Sequence, residues 1–237
     1  MALFQTPFKS NESTEDVGGI RYISEKHVAC VFLLDTSGSM SSNDAISKLN
    51  HGLKIFKEQT MKNKTFDEHT KACIDVAIVS FGGEVKVEQE FVCVEEMNTP
   101  TLYASGGTPM GEALNKAMDM VTQQKEKYNA YSTPYYRPWI FVITDGEPND
   151  DYQSAVQRLK QMEVEKRVLA YCVGVEKYNK ELMATIFDNK RLFQLDELDF
   201  PSLFEFVSNS LAVARNSEPG TPTVGVAAAN TIQMAIQ

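Results

Sequence analysis

The chain has 237 residues, 43% of them hydrophobic, and carries a formal net charge of −9 at pH 7. This length and apolar content suit one α/β core with peripheral extensions, whereas the longest apolar runs are far shorter than the roughly 20 residues that span a bilayer. The negative charge, with no local cluster of Lys or Arg, argues against nucleic acid as a partner.

The targeting and redox signals in the sequence predict a cytoplasmic protein. Residues 1–26 mix Lys, Glu, Asp and Asn without the apolar centre of a secretory signal. The cysteines are far apart and form no Cys-x-x-Cys pair, so we expect buried free thiols. They are Cys30, Cys73, Cys93 and Cys172.

The first half of the chain begins with a predicted strand that is buried on both faces. Residues 27–34 form a short apolar run that opens onto small polar residues, a pattern typical of a strand that ends in a functional loop. Residues 74–81 and 85–94, separated by Gly82 and Gly83, predict a hairpin whose second strand is an antiparallel edge. Between the first strand and this hairpin, apolar residues at helical spacing predict a helix: Ile46, Leu49, Leu53 and Phe56.

The second half alternates loops, helices and strands. Pro109 ends a turn-rich loop and suits the first position of a helix, which places Thr108 at the N-cap and the apolar stripe at 110–121. Apolar runs predict further strands at 139–144, 168–175 and 191–195. Apolar stripes predict further helices around 156–162, 182–187 and 203–211.

This alternation predicts an α/β fold with a central, mostly parallel six-stranded sheet. One strand is an antiparallel edge, and helices cover both faces through right-handed crossovers. In such sheets ligands bind at the carboxyl ends of the strands. The tail 214–237 has few charges and no large aromatic anchor, so we expect it to be mostly poorly ordered.

Three polar clusters lie in loops that meet at this edge of the predicted sheet. Asp35, Ser37 and Ser39 follow the first strand, Thr108 precedes a helix, and Asp145 follows a later strand. Mg²⁺ takes about six oxygen ligands and keeps several waters, so hydroxyls and one or two carboxylates are suitable donors. A cation would also neutralise two like charges at one edge. The sequence therefore predicts a magnesium site.

Three motifs carry a resemblance to a known family. They are Leu-Leu-Asp-Thr-Ser-Gly-Ser-Met (33–40), Ala-Ser-Gly-Gly-Thr-Pro (104–109) and Ile-Thr-Asp-Gly-Glu-Pro (143–148). Together they resemble the metal-ion-dependent adhesion site, or MIDAS, of the Rossmann-like von Willebrand factor A (VWA) domain. The likeness is closest to bacterial TerY-like proteins of tellurium-resistance gene clusters. It divides the chain into three parts: an N-terminal extension (1–26), a VWA domain (27–213) and the tail (214–237).

The resemblance implies roles for the five residues. Ser37 and Ser39 bind the metal through their hydroxyls, and Thr108 binds it directly when a partner is present. Asp35 and Asp145 act largely through water. The expected metal is Mg²⁺, with Mn²⁺ as an alternative, and an open coordination position accepts an Asp or Glu from a partner protein. TerY-like proteins are associated with kinase and phosphatase genes, so such enzymes are expected partners of an adaptor in stress response.

Each member of the set also has a structural alternative. Thr108 could simply cap its helix, Asp145 could start a turn with the next glycine, and the two serines could bond to loop backbone groups. Singly, these alternatives are favoured. Together they leave two carboxylates close to each other, which favours the metal site.

Other polar residues have less specific interpretations. The acidic loop after the strand at 139–144 either supports the metal site and shapes partner choice, through Glu147, Asn149, Asp150 and Asp151, or serves the next helix. The favoured interpretation is that Asp150 or Asp151 caps that helix. Four tyrosines either form a recognition surface or pack under a long crossover: Tyr128, Tyr131, Tyr135 and Tyr136. The histidines show no metal-binding spacing and are expected to be ordinary surface or core residues: His27, His51 and His69.

A Mg²⁺-dependent phosphohydrolase is the alternative function. One class of phosphatases has its nucleophilic Asp at the end of the first strand, as Asp35 is here. Those enzymes need a second Asp two residues later, where this chain has Ser37, and no Lys lies near the loops in sequence. An extracellular adhesion module is disfavoured by the free cysteines. We therefore expect a non-enzymatic module.

Overall fold

The computed structural model describes residues 18–62, 68–175 and 178–195. The strands are β1 (Val28–Asp35), β2 (Ile74–Gly82), β3 (Glu84–Cys93), β4 (Trp139–Thr144), β5 (Leu169–Val175) and β6 (Leu192–Leu195). The helices are α1 (Ala45–Lys62), α2 (Glu68–Ala72), α3 (Met110–Ala130), α4 (Gln153–Val164) and α5 (Lys180–Ile186), with short 3-10 segments at Gly38–Asp44 and Asn189–Arg191. None of the helices in these ranges has the length and apolar character needed to cross a membrane.

Three predictions fall outside the described residues. They are the helix around 203–211, the tail at 214–237 and most of the N-terminal extension, of which the structure describes residues 18–26.

The six strands form one sheet in the order β3-β2-β1-β4-β5-β6. Neighbouring strands run parallel except for the hairpin pair β2 and β3, so the antiparallel strand lies at an edge. The predicted α/β fold, with six strands and one antiparallel edge strand, is confirmed. The edge strand carries Glu84, Lys86 and Glu88, and such charges protect an open edge from pairing with other chains.

Strand β1 lies in the centre and is buried along its whole length. Because side chains alternate along a strand, Phe32 and Leu34 pack with α1 on one face, while Val31 and Leu33 pack with α3 and α4 on the other. The ring of Phe56 on α1 meets Phe32 edge-on, with ring centroids 5.0 Å apart. All four cysteines are free and buried, as predicted.

The strand order reverses between β1 and β4, and with right-handed crossovers this reversal places α1 and α3 on opposite faces of the sheet. Leu34 pairs with Ile143, so the two parallel strands end side by side. In open α/β sheets, ligands bind beyond the carboxyl ends of the strands at such a reversal. The loops after β1 and β4 leave the sheet at this point.

Candidate metal centre

Asp35 is the last residue of β1 and is fully buried. One carboxylate oxygen, Oδ1, accepts a hydrogen bond from the amide of Ser37 at 2.7 Å. The other, Oδ2, accepts one from the hydroxyl of Thr144 at 2.6 Å. Thr144 ends β4, so Asp35 joins the ends of the two strands at the reversal point.

The two serines connect Asp35 to the loop after β4. The hydroxyl oxygens of Ser37 and Ser39 lie 3.0 Å apart, and the Ser39 hydroxyl donates to Asp145 Oδ1 at 2.7 Å. Ser37 is buried whereas Ser39 is exposed. The hydroxyl and carboxylate groups therefore form a continuous row from the buried end of β1 to the protein surface.

Thr108 reaches the same place from the loop before α3. A methyl group at Gly146 would lie 3.2 Å from Thr108 Oγ1, 3.7 Å from Asp35 Oδ2 and 3.8 Å from Ser39 Oγ. These three oxygens therefore surround one point, and Gly146 leaves the space between them open. With Ser37 and Asp145 hydrogen-bonded to Ser39, the structure brings all five predicted site residues together.

Backbone hydrogen bonds hold the loop before α3 against the loop after β1. The amide of Ser105 donates to the carbonyl of Thr36 at 2.8 Å, and the amide of Gly38 donates to the carbonyl of Gly106 at 2.9 Å. Gly106 has φ of 71° and comes so close to Gly83 that a Cβ would lie 2.4 Å from the Gly83 Cα. A residue with a side chain would be strained here, so the glycines allow the loop before α3 to approach the turn between β2 and β3 closely.

The electrostatics of the site favour a cation. Burial raises the pKa of the Asp35 carboxyl to about 6; hydrogen bonds from Ser37 and Thr144 oppose this rise, and the charge of Asp145 adds to it. At neutral pH the site therefore holds an ionised carboxylate at an unfavourable buried position. A bound cation would stabilise that ionised form.

The donor set fits a hard divalent metal. It consists of three hydroxyls and two carboxylates, and Mg²⁺ and Mn²⁺ prefer such oxygen ligands. Nowhere in the ranges that the structure describes, this site included, do His, Cys, Asp and Glu form a group of three or more that could hold a metal ion. A metal at this site would therefore depend on hydroxyl ligands as much as on carboxylates.

The predicted helix caps need correction. Helix α3 begins at Met110 with Pro109 at the N-cap, so Thr108 precedes the N-cap by one residue. Helix α4 has Tyr152 at its N-cap and no side-chain cap. The prediction that Asp150 or Asp151 caps α4 is therefore wrong. The Asp150 carboxylate instead accepts hydrogen bonds from two amides in the first turn of α3.

Sequence reasoning also missed a buried polar cluster at the opposite end of the sheet. His27 is fully buried, and its Nδ1 lies 2.7 Å from Asp75 Oδ2, which also accepts a hydrogen bond from the hydroxyl of Tyr128. Tyr135 stacks on Tyr128 with ring centroids 5.2 Å apart. Tyr128 is fully buried and therefore packs in the interior, whereas Tyr135 and Tyr136 are half-buried and Tyr131 is exposed, so the recognition-surface alternative stays open for those three. No local spacing indicates this cluster, since 48 residues separate His27 from Asp75.

Known proteins with similar sequences or folds include metal-bound examples. Calcium-activated chloride channel regulator 1 from Bos taurus is 25% identical over 145 residues, which are 58% of this chain and 14% of that protein. Proximal thread matrix protein 1 of the mussel byssus, with a zinc-occupied MIDAS motif, superposes with a TM-score of 0.56 at 15% identity, over 81% of this chain and 46% of that chain. The manganese-loaded TRAP protein of Plasmodium vivax superposes with a TM-score of 0.51 at 16% identity, over 76% of this chain and 72% of that chain.

These similarities establish the fold, and the chain spans only a small part of the bovine relative. The family profile of the von Willebrand factor type A domain matches residues 30–207, which is more than half of the chain. The matched range includes all three loops of the candidate site. The chain therefore belongs to the von Willebrand factor type A domain family.

Proposed function

We propose that this chain is a non-enzymatic interaction module that binds a partner protein through a divalent metal. The proposed ligand set is Asp35, Ser37, Ser39, Thr108 and Asp145. The observation that supports this most directly is the convergence of their hydroxyl and carboxylate oxygens around Gly146. A metal held largely by neutral hydroxyls keeps much of its positive charge. When bound, it would offer an open coordination position to an Asp or Glu of the partner.

The hydrogen bonds suggest how the chain's own groups orient the ligands. The Ser39 hydroxyl donates a hydrogen bond to Asp145, so Ser37 is the donor in the contact between the two hydroxyls, and one lone pair of the Ser39 oxygen remains available to a metal. Asp35 holds the amide of Ser37 and thereby fixes the turn that carries both serines. Because Ser39 is exposed, we propose that the partner approaches from its side of the site.

Mg²⁺ is the proposed metal in the cell, with Mn²⁺ as the alternative. Both are hard ions that bind hydroxyl, carboxylate and water oxygens in an octahedron. The zinc of the mussel protein and the manganese of TRAP belong to those proteins, yet they support the proposal that a site of this type takes a divalent ion.

We further propose that the chain is a cytoplasmic TerY-like adaptor in a bacterial tellurium-resistance or stress-response system. The support is the three loop motifs together with free, buried cysteines, which suit a reducing compartment. Residues 27–213 would form the binding unit. A kinase or a phosphatase encoded nearby would be a suitable partner.

Phosphate-ester hydrolysis is a weaker alternative because of the way Asp35 is held. Both of its carboxylate oxygens accept hydrogen bonds, from Ser37 and Thr144, so neither is presented as a free nucleophile. The position two residues later is Ser37 rather than a second acid. Mg²⁺-dependent hydrolysis of p-nitrophenyl phosphate that disappears in Asp35→Asn would favour this alternative.

The proposal is tested by capture of partners on the immobilised chain. Wild type and Asp35→Asn are exposed to lysate of the source organism with Mg²⁺ or with EDTA, and captured proteins are identified by mass spectrometry. Asp44→Asn is a matched control, because Asp44 is an exposed acid in the adjoining 3-10 segment. We expect a partner that needs Mg²⁺ and Asp35 but not Asp44.

The carboxylate step is then tested on that purified partner. Each exposed Asp and Glu of the partner is replaced in turn by its amide. One of these variants should bind the chain at least tenfold more weakly than the unmodified partner does in Mg²⁺, whereas in EDTA the variant and the unmodified partner should bind equally weakly. A partner whose affinity is the same with Mg²⁺, with EDTA and with Asp35→Asn would overturn the proposed function.

A further inference from the structure

Asp150 lies in the loop between β4 and α4, but its carboxylate serves a different helix. Oδ1 accepts a hydrogen bond from the amide of Gly111 at 3.0 Å, and Oδ2 accepts one from the amide of Glu112 at 2.9 Å. These amides belong to the first turn of α3, whose partial positive charge favours a carboxylate. Charge-assisted bonds of this kind are stronger than neutral ones. Asp150 thus fastens the loop after β4 to the start of α3.

The same two segments are in contact on both sides of Asp150. The amide of Asn149 donates to the carbonyl of Thr108 at 3.1 Å. A Cβ at Gly107 would lie 1.8 Å from Asn149 Nδ2, and a Cβ at Gly111 would lie 2.6 Å from the Cα of Tyr152. At Gly111 the two nearest atoms are backbone, so a side chain there would force the two segments apart, whereas at Gly107 the Asn149 side chain would have to move. These contacts hold the segment before α3 close to the loop after β4.

This contact joins two of the proposed metal ligands. Thr108 lies on the segment before α3, and Asp145 lies on the loop after β4. The hydroxyls of Ser37 and Ser39, in contrast, come from the loop after β1. The hydrogen bonds of Asp150 therefore connect the segment that carries Thr108 to the loop that carries Asp145.

We infer that Asp150 is a positioning residue for the metal centre: it holds Thr108 at the distance from Asp145 at which both act on one metal ion. This inference rests on the proposed function, since it requires that a metal binds at these residues. It assigns Asp150 no contact with the metal. Asp150 acts through Thr108.

The variant Asp150→Asn removes one of the two acceptors and places an NH₂ group against an amide that needs an acceptor. Asp151→Asn is a matched control, because it makes the same charge change at an exposed neighbour in the same loop. Mn²⁺ affinity, measured by calorimetry on the full chain, should fall about tenfold in Asp150→Asn, the size typical of residues that orient metal ligands. It should change less than about twofold in Asp151→Asn, in keeping with a carboxylate that orients no ligand.

A double-mutant cycle separates positioning from a general structural effect. If Asp150 acts through Thr108, then Asp150→Asn should change Mn²⁺ affinity by less than about twofold when Thr108→Ala is already present. The melting temperature provides a second readout. A purely structural loss lowers it equally in EDTA and in Mg²⁺, whereas a positioning loss also reduces the increase that Mg²⁺ produces.

Gly111→Ala provides the same test without a change of charge and covers the case in which Asp150→Asn does not fold. Its Cβ would push the two segments apart at Tyr152, so it should weaken Mn²⁺ binding in a Thr108-dependent way. The inference is overturned if Mn²⁺ affinity is unchanged in the folded variants, or if it falls equally with Thr108→Ala present. If the folded wild type binds no Mn²⁺, the proposed function is overturned together with the inference. If the wild type binds Mn²⁺ but the variants do not behave as expected, only the role of Asp150 is overturned.

Discussion

Asp35 and Asp75 are both buried aspartates on neighbouring strands, but they lie at opposite ends of the sheet and have different partners. Asp35 is paired with Phe81 at the carboxyl ends of β1 and β2, while Asp75 is paired with Ala29 near the amino ends. Asp75 is hydrogen-bonded to the imidazole of His27 and to a tyrosine hydroxyl. Asp35 accepts its two hydrogen bonds from neutral groups, an amide and a hydroxyl.

This difference separates a structural carboxylate from one that is suited to bind a cation. Burial lowers the pKa of His27, but hydrogen bonds and charge, chiefly from Asp75, raise it to about 10. His27 is therefore an imidazolium at neutral pH, and the chain itself supplies a cation for Asp75. The pKa of Asp35 is raised to about 6, so its ionised form still lacks such compensation. A metal ion would provide it.

The largest expected effect is the loss of the cation beside Asp75. His27→Gln leaves a buried carboxylate without its positive partner, which should lower the free energy of unfolding by about 3–5 kcal/mol at pH 7. Urea denaturation followed by circular dichroism measures this. His51→Gln, at an exposed histidine of α1, is the control and should change it by less than about 0.5 kcal/mol. A loss below about 1 kcal/mol at His27 would mean that Asp75 does not depend on the imidazolium.

The same change of Asp to Asn should have opposite effects on stability at the two ends of the sheet. In EDTA at pH 7.5, Asp35→Asn should raise the free energy of unfolding by up to about 3 kcal/mol, because it removes the cost of ionising a group whose pKa is raised from 3.8 to about 6. Asp75→Asn should lower it, since His27 loses its carboxylate. Equal destabilisation by both variants would contradict the comparison. Asp35→Asn should also abolish the stabilisation that Mg²⁺ gives the wild type.

The pH dependence of this stability gain gives a smaller, directional test. Between about pH 4 and pH 6, folded wild type binds a proton at Asp35 more tightly than the unfolded chain does, so its stability falls as pH rises through this window. The slope contributed by this group is at most about 1.4 kcal/mol per pH unit. The advantage of Asp35→Asn in EDTA should therefore be absent near pH 4 and complete above pH 6. An advantage of constant size across this range would assign the effect to another cause.

The parts of the molecule that sequence predicts well are those that depend on local patterns. Runs such as 139–144 have the length and the apolar character that indicate a buried strand. Gly82 and Gly83 indicate the hairpin that makes β3 the antiparallel edge strand. The position of the site loops follows from the same logic, because Asp35 ends β1 and Asp145 directly follows β4, and both strands end at one edge of the sheet. Their meeting is thus a consequence of topology.

The parts that sequence does not predict depend on contacts between distant segments. A local capping rule assigns Asp150 to the helix that follows it, but the carboxylate bonds to amides 39 and 38 residues earlier in the chain, on α3. The close packing of α3 against the loop after β4 determines this choice. His27 and Tyr128 meet Asp75 for a similar reason, since β1, β2 and the end of α3 converge there.

The smallest of these predicted effects concerns the open space at Gly146. Gly146→Ala adds a methyl group 3.2 Å from Thr108 Oγ1 and within 4 Å of oxygens of Asp35 and Ser39, so it should crowd a metal bound among them. Mn²⁺ affinity by calorimetry should fall about tenfold, equivalent to about 1.4 kcal/mol. Gly38→Ala is the control, because its Cβ would make only an ordinary 3.5 Å contact with the carbonyl oxygen of Gly106. Normal Mn²⁺ affinity in Gly146→Ala would place the metal away from these three oxygens, and Asp35 would then have to obtain its compensating charge elsewhere.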